Sequence, residues 1–288
     1  MNPTRPMYWS VVRELWENRS VYVAPMVVAG IVLFGVFISC FTLPRRMQAA
    51  MALEEAKQRH AIEMPYSMAA SMILLTGFIV GVFYCVDALT GERRDRSILF
   101  WKSLPVSDRT AVLSKAAIPL VVQPLISIVV ALIVQTIILI LSTLVLTVRG
   151  INPALLWSRL PLIHMTFVMF YGVAVHMLWF APIYAWLLLV SAWARRAAPL
   201  WALLPFFAAF VIERIALGTK LVASLITYRL QGAMLEAFTV HAGHAPIDKL
   251  SQLAPINFLL TPGLWVGLLF AAACLAAAMR LRRNREPI

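Results

Sequence analysis

Long apolar runs without a formal charge dominate the order of residues. Asp, Glu, Lys and Arg are absent from Ser20–Pro44, Met64–Val86, Ala116–Val148, Leu160–Ala194, Ala197–Ile212 and Leu250–Met279, which together cover more than half the chain. A helix needs about 20 mostly apolar residues to cross the hydrocarbon core of a bilayer. Five of the six runs have that length, and the Ala197–Ile212 run reaches it when Glu213 and Arg214 lie near its end. Continuous runs exclude a β-barrel, whose short strands are apolar only at every second residue. The expected fold is all-α, a polytopic membrane helix bundle. Its six spans lie at about 21–43, 67–89, 119–145, 165–192, 199–217 and 257–279, in a single transmembrane domain over 1–288.

Ahead of the first span, Tyr8, Val12, Leu15 and Trp16 recur at helical spacing, while Arg13, Glu14, Glu17 and Asn18 take the other side. This pattern predicts an N-terminal amphipathic helix over 1–20 lying in the membrane interface. No small-residue cleavage site follows the polar leader, so these residues do not read as a removable signal.

Composition sharpens the picture. The chain is 61% hydrophobic and 13% charged, against about 25% charge in soluble domains. No connection reaches the roughly 50 residues at which domains usually begin. The net charge of +12 would suggest nucleic acid in a soluble protein. Here basic residues flank the spans and orient them against anionic lipid, so membrane lipid, not nucleic acid, is the expected polyanion. Lys and Arg are denser in 1–20, 90–116, 194–198 and 280–285 than in the alternate connections, which predicts that both termini are cytoplasmic. Cys40, Cys85 and Cys274 fall within apolar runs at unrelated spacings and define neither a disulfide framework nor a metal site.

The connections differ in character. Outside, Arg45–Glu63 is charged and mildly helical. The 218–256 loop carries Leu221, Leu225, Tyr228, Leu235 and Phe238 at helical spacing, interrupted by Gly232, and predicts a short external or re-entrant helix. Inside, the 90–116 segment starts with mixed charges from Glu92 to Arg96 and continues through the apolar Ile98–Trp101. Leu104-Pro105-Val106 then breaks the chain, and Ser107 or Asp108 caps a helix running to Lys115. Exposed Ile, Leu, Phe and Trp in a charged loop call for cover, from lipid headgroups or from a cytoplasmic protein.

A span ending in Asp87-x-Leu89-x-x-Glu92-Arg93, followed by Leu104-Pro105-Val106-Ser107 and a helix with Lys115, resembles the ABC type-2 permeases. The turn Ser191-Ala-Trp-Ala-Arg195-Arg196-Ala-Ala-Pro199 is similar to the family's small-residue, Arg-rich turn. Six spans, an interfacial N-terminal helix and a long last external loop extend the resemblance over the whole chain. Ser97 and Ile98 depart from the Gly-Thr or Gly-Ser of many members. The resemblance implies that Glu92, Arg93, Arg94, Ser97, Leu104, Pro105, Val106, Ser107, Lys115, Arg195 and Arg196 form an ATPase-coupling element. It further implies a permease subunit of an ATP-driven exporter in the bacterial cytoplasmic (inner) membrane, moving a hydrophobic or amphipathic substrate. Its partners would be cytoplasmic ABC ATPase subunits and a second or homologous permease. No GxxxxGK[ST] phosphate loop occurs in the sequence, so ATP and Mg belong to the partner subunit and this chain is expected to be neither an enzyme nor a cofactor carrier.

Among intramembrane polar groups, Glu213 and Arg214 read either as translocation contacts or as a boundary pair at the outer interface. His164 and His176 do not share a helical face, and His241 and His244 read as loop residues, so none suggests a metal site. Gln123 and Gln135 suit ordinary hydrogen bonding between helices. An ion-coupled secondary transporter is the alternative; it would predict repeated halves and carboxylates at the bilayer midplane. An intramembrane enzyme would need a nucleophile or metal-ligand motif, and neither HExxH nor GxSxG is present.

Overall fold

The computed structural model describes residues 4–95, 106–239 and 252–284. The chain begins with α1 (Thr4–Glu17), then α2 (Ser20–Ser39), α3 (Leu43–Met51), α4 (Glu55–Asp87) and the short α5 (Thr90–Arg94). After the undescribed segment comes α6 (Asp108–Ala117), which passes through a π-helical turn at Ile118–Val122 into α7 (Gln123–Val148). The remainder is α8 (Ala154–Arg159), α9 (Leu162–Trp193), α10 (Ala198–Ala216), α11 (Leu221–Ala237), α12 (Pro255–Leu260) and α13 (Pro262–Asn284). No strand forms among the described residues. An antiparallel bridge between Phe238 and Leu253 closes the end of α11 onto the start of α12. Six helical stretches are long and apolar enough to cross a membrane: α2, α4, α6–α7, α9, α10 and α13.

Several boundaries differ from those expected. The first span stops at Ser39 instead of Leu43, because Pro44 sits in the first turn of a separate helix, α3. The helix of the second span starts at Glu55, nine residues before its charge-free run opens at Met64, with Glu55 to Glu63 forming its polar end. The last span starts at Pro262, since Thr261 is extended and Pro262 opens a new helix after α12. Gly232 does not interrupt α11. A Cβ there would lie 2.8 Å from Trp179 Cζ2, so the glycine is what lets α11 press onto α9. Trp179 is fully buried, donates from Nε1 to Arg229 O at 2.8 Å and lies under the Arg229 guanidinium. Gly232→Ala is therefore expected to cost about 1–3 kcal/mol through overpacking, read as a lower thermal midpoint of the purified protein.

The bundle packs around α4 and α9. α4 lies against α2 and α7, and α9 runs along α13. Gly77 and Gly81, four apart on α4, open that helix to close approach: a Cβ on Gly81 would be 3.3 Å from both Pro119 and Tyr184. Small residues at this spacing let membrane helices meet backbone to backbone. Pro119 lacks an N–H and crowds the preceding turn, which accounts for the widened π-helical turn where α6 becomes α7. α2 and α10 leave most of their surface uncovered, including Phe34, Phe37, Leu203 and Phe207.

α1 reverses the polarity expected of a helix on a soluble protein. Its aromatic residues Tyr8, Trp9 and Trp16 are exposed (Trp16 at 69%), whereas Glu14 is completely buried. Val11 and Leu15 add apolar contacts to the bundle.

Candidate functional site

The described residues that carry the family resemblance gather at one end of the bundle, where α1, α5, α6 and the C-terminal end of α13 meet. A buried ionic hub holds them. The Glu14 carboxylate accepts from Lys115 Nζ at 2.9 and 3.0 Å, from Arg13 Nη2 at 2.5 Å and from the Tyr84 hydroxyl at 2.7 Å. Glu92 pairs with the same Lys115 at 3.2 Å, with Arg282 at 2.9 Å and with Arg13 at 3.5 Å. Arg282 in turn donates from Nε to Asp108 at 3.2 Å. The cations Arg13, Lys115 and Arg282 thus face the carboxylates Glu14, Glu92 and Asp108. Removal of such charges from water is tolerable only with this degree of mutual pairing.

A second set of contacts fixes the start of the 90–116 segment to α9. Ser191 Oγ accepts from the backbone N–H groups of Leu89 and Thr90, both at 2.9 Å, and the Thr90 hydroxyl donates to Ser191 O at 2.7 Å. Arg93 Nη2 donates to Ser191 O at 2.8 Å and to Ala194 O at 2.5 Å. These are the free carbonyls at a helix C-terminus, where a cation also matches the helix dipole. On the far side of the segment, Ser107 caps α6 by accepting from Thr110 N at 3.1 Å. Both flanks of the segment are therefore fastened to the bundle.

The remaining predicted positions divide by exposure. Arg94 is exposed and near Asp87 (3.7 Å) and Asp95 (3.4 Å). Arg195 and Arg196 are exposed in the turn between α9 and α10, where Ala197 adopts a left-handed conformation (φ 51°). Val106 is half-buried beside the capped start of α6. Ser97, Leu104 and Pro105 lie outside the described residues, as do His241 and His244. Glu213 is engaged in structure: it accepts from Thr219 Oγ1 at 2.5 Å, from Val222 N at 2.7 Å and from Leu221 N, and so caps α11. Arg214 is exposed beside it. His164 is exposed, and His176 shares a 3.1 Å hydrogen bond with the Tyr184 hydroxyl. No group of His, Cys, Asp and Glu suited to a metal ion occurs among the described residues.

Sequence reasoning passed over Glu14, Tyr84, Asp108 and Arg282 as hub members. Glu14 and Arg282 read as solvent-facing charges near the ends of the chain, and Asp108 only as a helix cap. The usable signal was the presence of both signs of charge on segments that all flank the same side of the spans.

The hub also sets a pH response. Burial acts to raise the Glu14 carboxyl, but the Lys115 charge and the hydrogen bonds from Arg13, Lys115 and Tyr84 outweigh it and hold it below its ordinary 4.5. Because the folded-state value is the lower one, the stabilisation is fully present above the unfolded value and is lost as pH falls through the folded value. Backbone amides of α1 should therefore stay protected from hydrogen exchange at neutral pH and open on acidification below 4.5. Glu14→Gln should abolish that acid step.

The fold and hub define a class: a helical integral membrane protein whose charged end is tied together by buried ion pairs. Comparison with protein-family models, curated proteins and solved structures finds no match to the chain.

Proposed function

We propose that this chain is the permease subunit of an ATP-driven exporter of the ABC type-2 class, paired with a second permease and with separate ATPase subunits. In this reading the hub end is cytoplasmic, the membrane is the bacterial inner membrane, and α1 lies in the interface with Trp9 and Trp16 toward lipid. The observation that carries the proposal is the anchoring of the 90–116 segment. Glu92 and Lys115 flank it and meet in one hub, and Thr90 and Arg93 pin its start to α9. A push from a docked ATPase would then reach α1, α4, α6, α9 and α13 together instead of being absorbed by a loose loop. Such transmission requires the two membrane arrangements to differ in their contacts with the ATPase. The placement of carboxylates also favours this reading over an ion-coupled carrier: Glu213 is used as a cap, and among the described residues no carboxylate lines the cleft between α4, α7, α9 and α11.

The test is mild-detergent purification of the tagged chain from its native host, with crosslinking and mass spectrometry. A stoichiometric ATPase, crosslinked to residues of the 90–116 segment, is the expected result. Recovery of the chain without an ATPase under crosslinking would overturn the proposal and favour the ion-coupled carrier, to be checked by proton or sodium dependence of transport.

A further inference from the structure

A cleft with a volume of about 620 Å³ opens into the bundle between α4, α7, α9 and α11. That volume is in the range of pockets that enclose small organic ligands. Leu74, Met169, Val173, Phe180 and Met234 supply apolar wall, and among the described residues the lining holds no Asp, Glu, Lys or Arg, with His176 its one basic side chain. Gln123 and Ser127, one turn apart on α7, provide its unusual feature. They are only 2% and 1% exposed, and neither amide atom of Gln123 nor the Ser127 hydroxyl has a hydrogen-bond partner.

Other polar groups of the lining are exposed, as Ser67 and Ser71 are, or paired. Gln135 donates its amide to Tyr66 O at 3.3 Å, and His176 and Tyr184 bond each other at 3.1 Å. Gln123 and Ser127 converge at Gly77, where a Cβ would lie 2.5 Å from Ser127 Oγ and 3.1 Å from Gln123 Nε2. Gly77 is about ten residues along α4 from its Asp87 end, or about 15 Å at the helical rise, which is the middle of a hydrocarbon core about 30 Å thick. Unpaired polar groups at that depth are costly, and native interiors pair nearly all such groups.

We infer that this cleft is a binding site for an uncharged amphiphile, whose apolar body occupies the Met- and Phe-lined space and whose hydroxyl or carboxamide bonds Gln123 and Ser127. The amide offers both a donor and an acceptor, and the serine hydroxyl can do either, so the matching group must also both donate and accept. With no Lys or Arg to pair a carboxylate, no Asp or Glu to pair an ammonium group, and His176 already bonded to Tyr184, the described lining selects against both charges. The site lies within one chain, goes beyond the exporter reading and is tested without any ATPase, so failure of one leaves the other standing.

The experiment uses the purified full chain in nanodiscs and a diazirine-bearing dodecanol. Saturable photolabelling should map to peptides of α9 and α11 around Met169 and Met234. It should be competed by 1-decanol and at least about tenfold less well by decanoate or decyltrimethylammonium, a discrimination worth about 1.4 kcal/mol. Gln123→Leu should reduce saturable labelling at least about tenfold while raising the thermal midpoint, since it removes an unpaired buried amide. Ser127→Ala should weaken labelling by a smaller factor. Non-saturable labelling at the level of the exposed α2 surface, or equal competition by the charged amphiphiles, would overturn the inference. A lowered midpoint in Gln123→Leu together with unaltered labelling of Ser127→Ala would do the same, leaving a hydrated void and a packing amide. Mass spectrometry of the organic extract from chain purified out of its native membrane separates the two sources of such a molecule. A stoichiometric occupant is a resident neutral lipid, and a site that is empty but binds dodecanol serves a compound in transit.

Discussion

Lys115→Met is expected to be the most damaging single substitution in the hub, lowering stability by about 3–5 kcal/mol, the cost of removing one partner from a buried ion pair. Lys115 is shared by Glu14 and Glu92, and its loss leaves two carboxylates with fewer cations in a space closed to water. Arg13 and Arg282 remain, but Arg13 is partly committed to Glu17 and Arg282 to Asp108. The measurement is the thermal midpoint and monodispersity of the purified protein. A double-mutant cycle with Glu14→Gln separates the pair from general damage. If the ion pair is what stabilises the junction, the double variant should be substantially more stable than the sum of the single losses predicts, by a coupling on the order of 0.5–3 kcal/mol. Additive losses would assign the Lys115 effect to packing of its alkyl stem instead.

The hub was hidden from sequence for a physical reason. Each span is legible because hydrocarbon demands a continuous apolar run, and that demand acts on neighbouring residues. α2, α4, α7, α9 and α10 are visible as charge-free stretches on that ground alone. Where helices leave the hydrocarbon the demand ends, so the extension of α4 back to Glu55 left no apolar trace, and the helix from Asp108 was legible only through its cap. Ion pairing obeys no local rule at all. Glu14 and Lys115 are 101 positions apart, and nothing in either segment distinguishes a charge paired inside the protein from one facing water.

The interior of the bundle shows the same division. Gly77 and Gly81 carry a readable spacing, because close helix approach needs small residues one turn apart. Gln123 and Gln135 look alike in sequence, yet only Gln135 finds a helix partner, in Tyr66 O. Both lie on α7 beyond the π-helical turn at Ile118–Val122, and twelve positions at about 100° per residue turn them to different neighbours. Widened turns of this kind recur at functional sites, and here one immediately precedes the unpaired amide of the cleft.

On the exporter proposal, charge reversal at the exposed cations, Arg94→Glu with Arg195→Glu and Arg196→Glu, is expected to reduce capture of the proposed ATPase at least about tenfold, or about 1.4 kcal/mol, without lowering the thermal midpoint. These arginines flank the buried anchor. Arg93 reaches Ala194 O, which brings the end of α5 beside the turn between α9 and α10, while Arg94, Arg195 and Arg196 stay exposed. They take no part in the buried hub, so their reversal should spare the fold. A protein docking over this face meets a cluster of cations, and like charges placed against its complementary surface slow association and weaken binding. On the same proposal these cations would also face anionic headgroups and contribute to orientation, so the lysine triple Arg94→Lys, Arg195→Lys and Arg196→Lys is the needed control. It keeps the charge that orients the spans and loses only the bidentate geometry of guanidinium. Full capture by the lysine triple with loss in the glutamate triple, at equal membrane yield, assigns the face to electrostatic docking. Loss of membrane insertion in the glutamate triple, with capture per inserted chain unaltered, would assign it to the lipid surface.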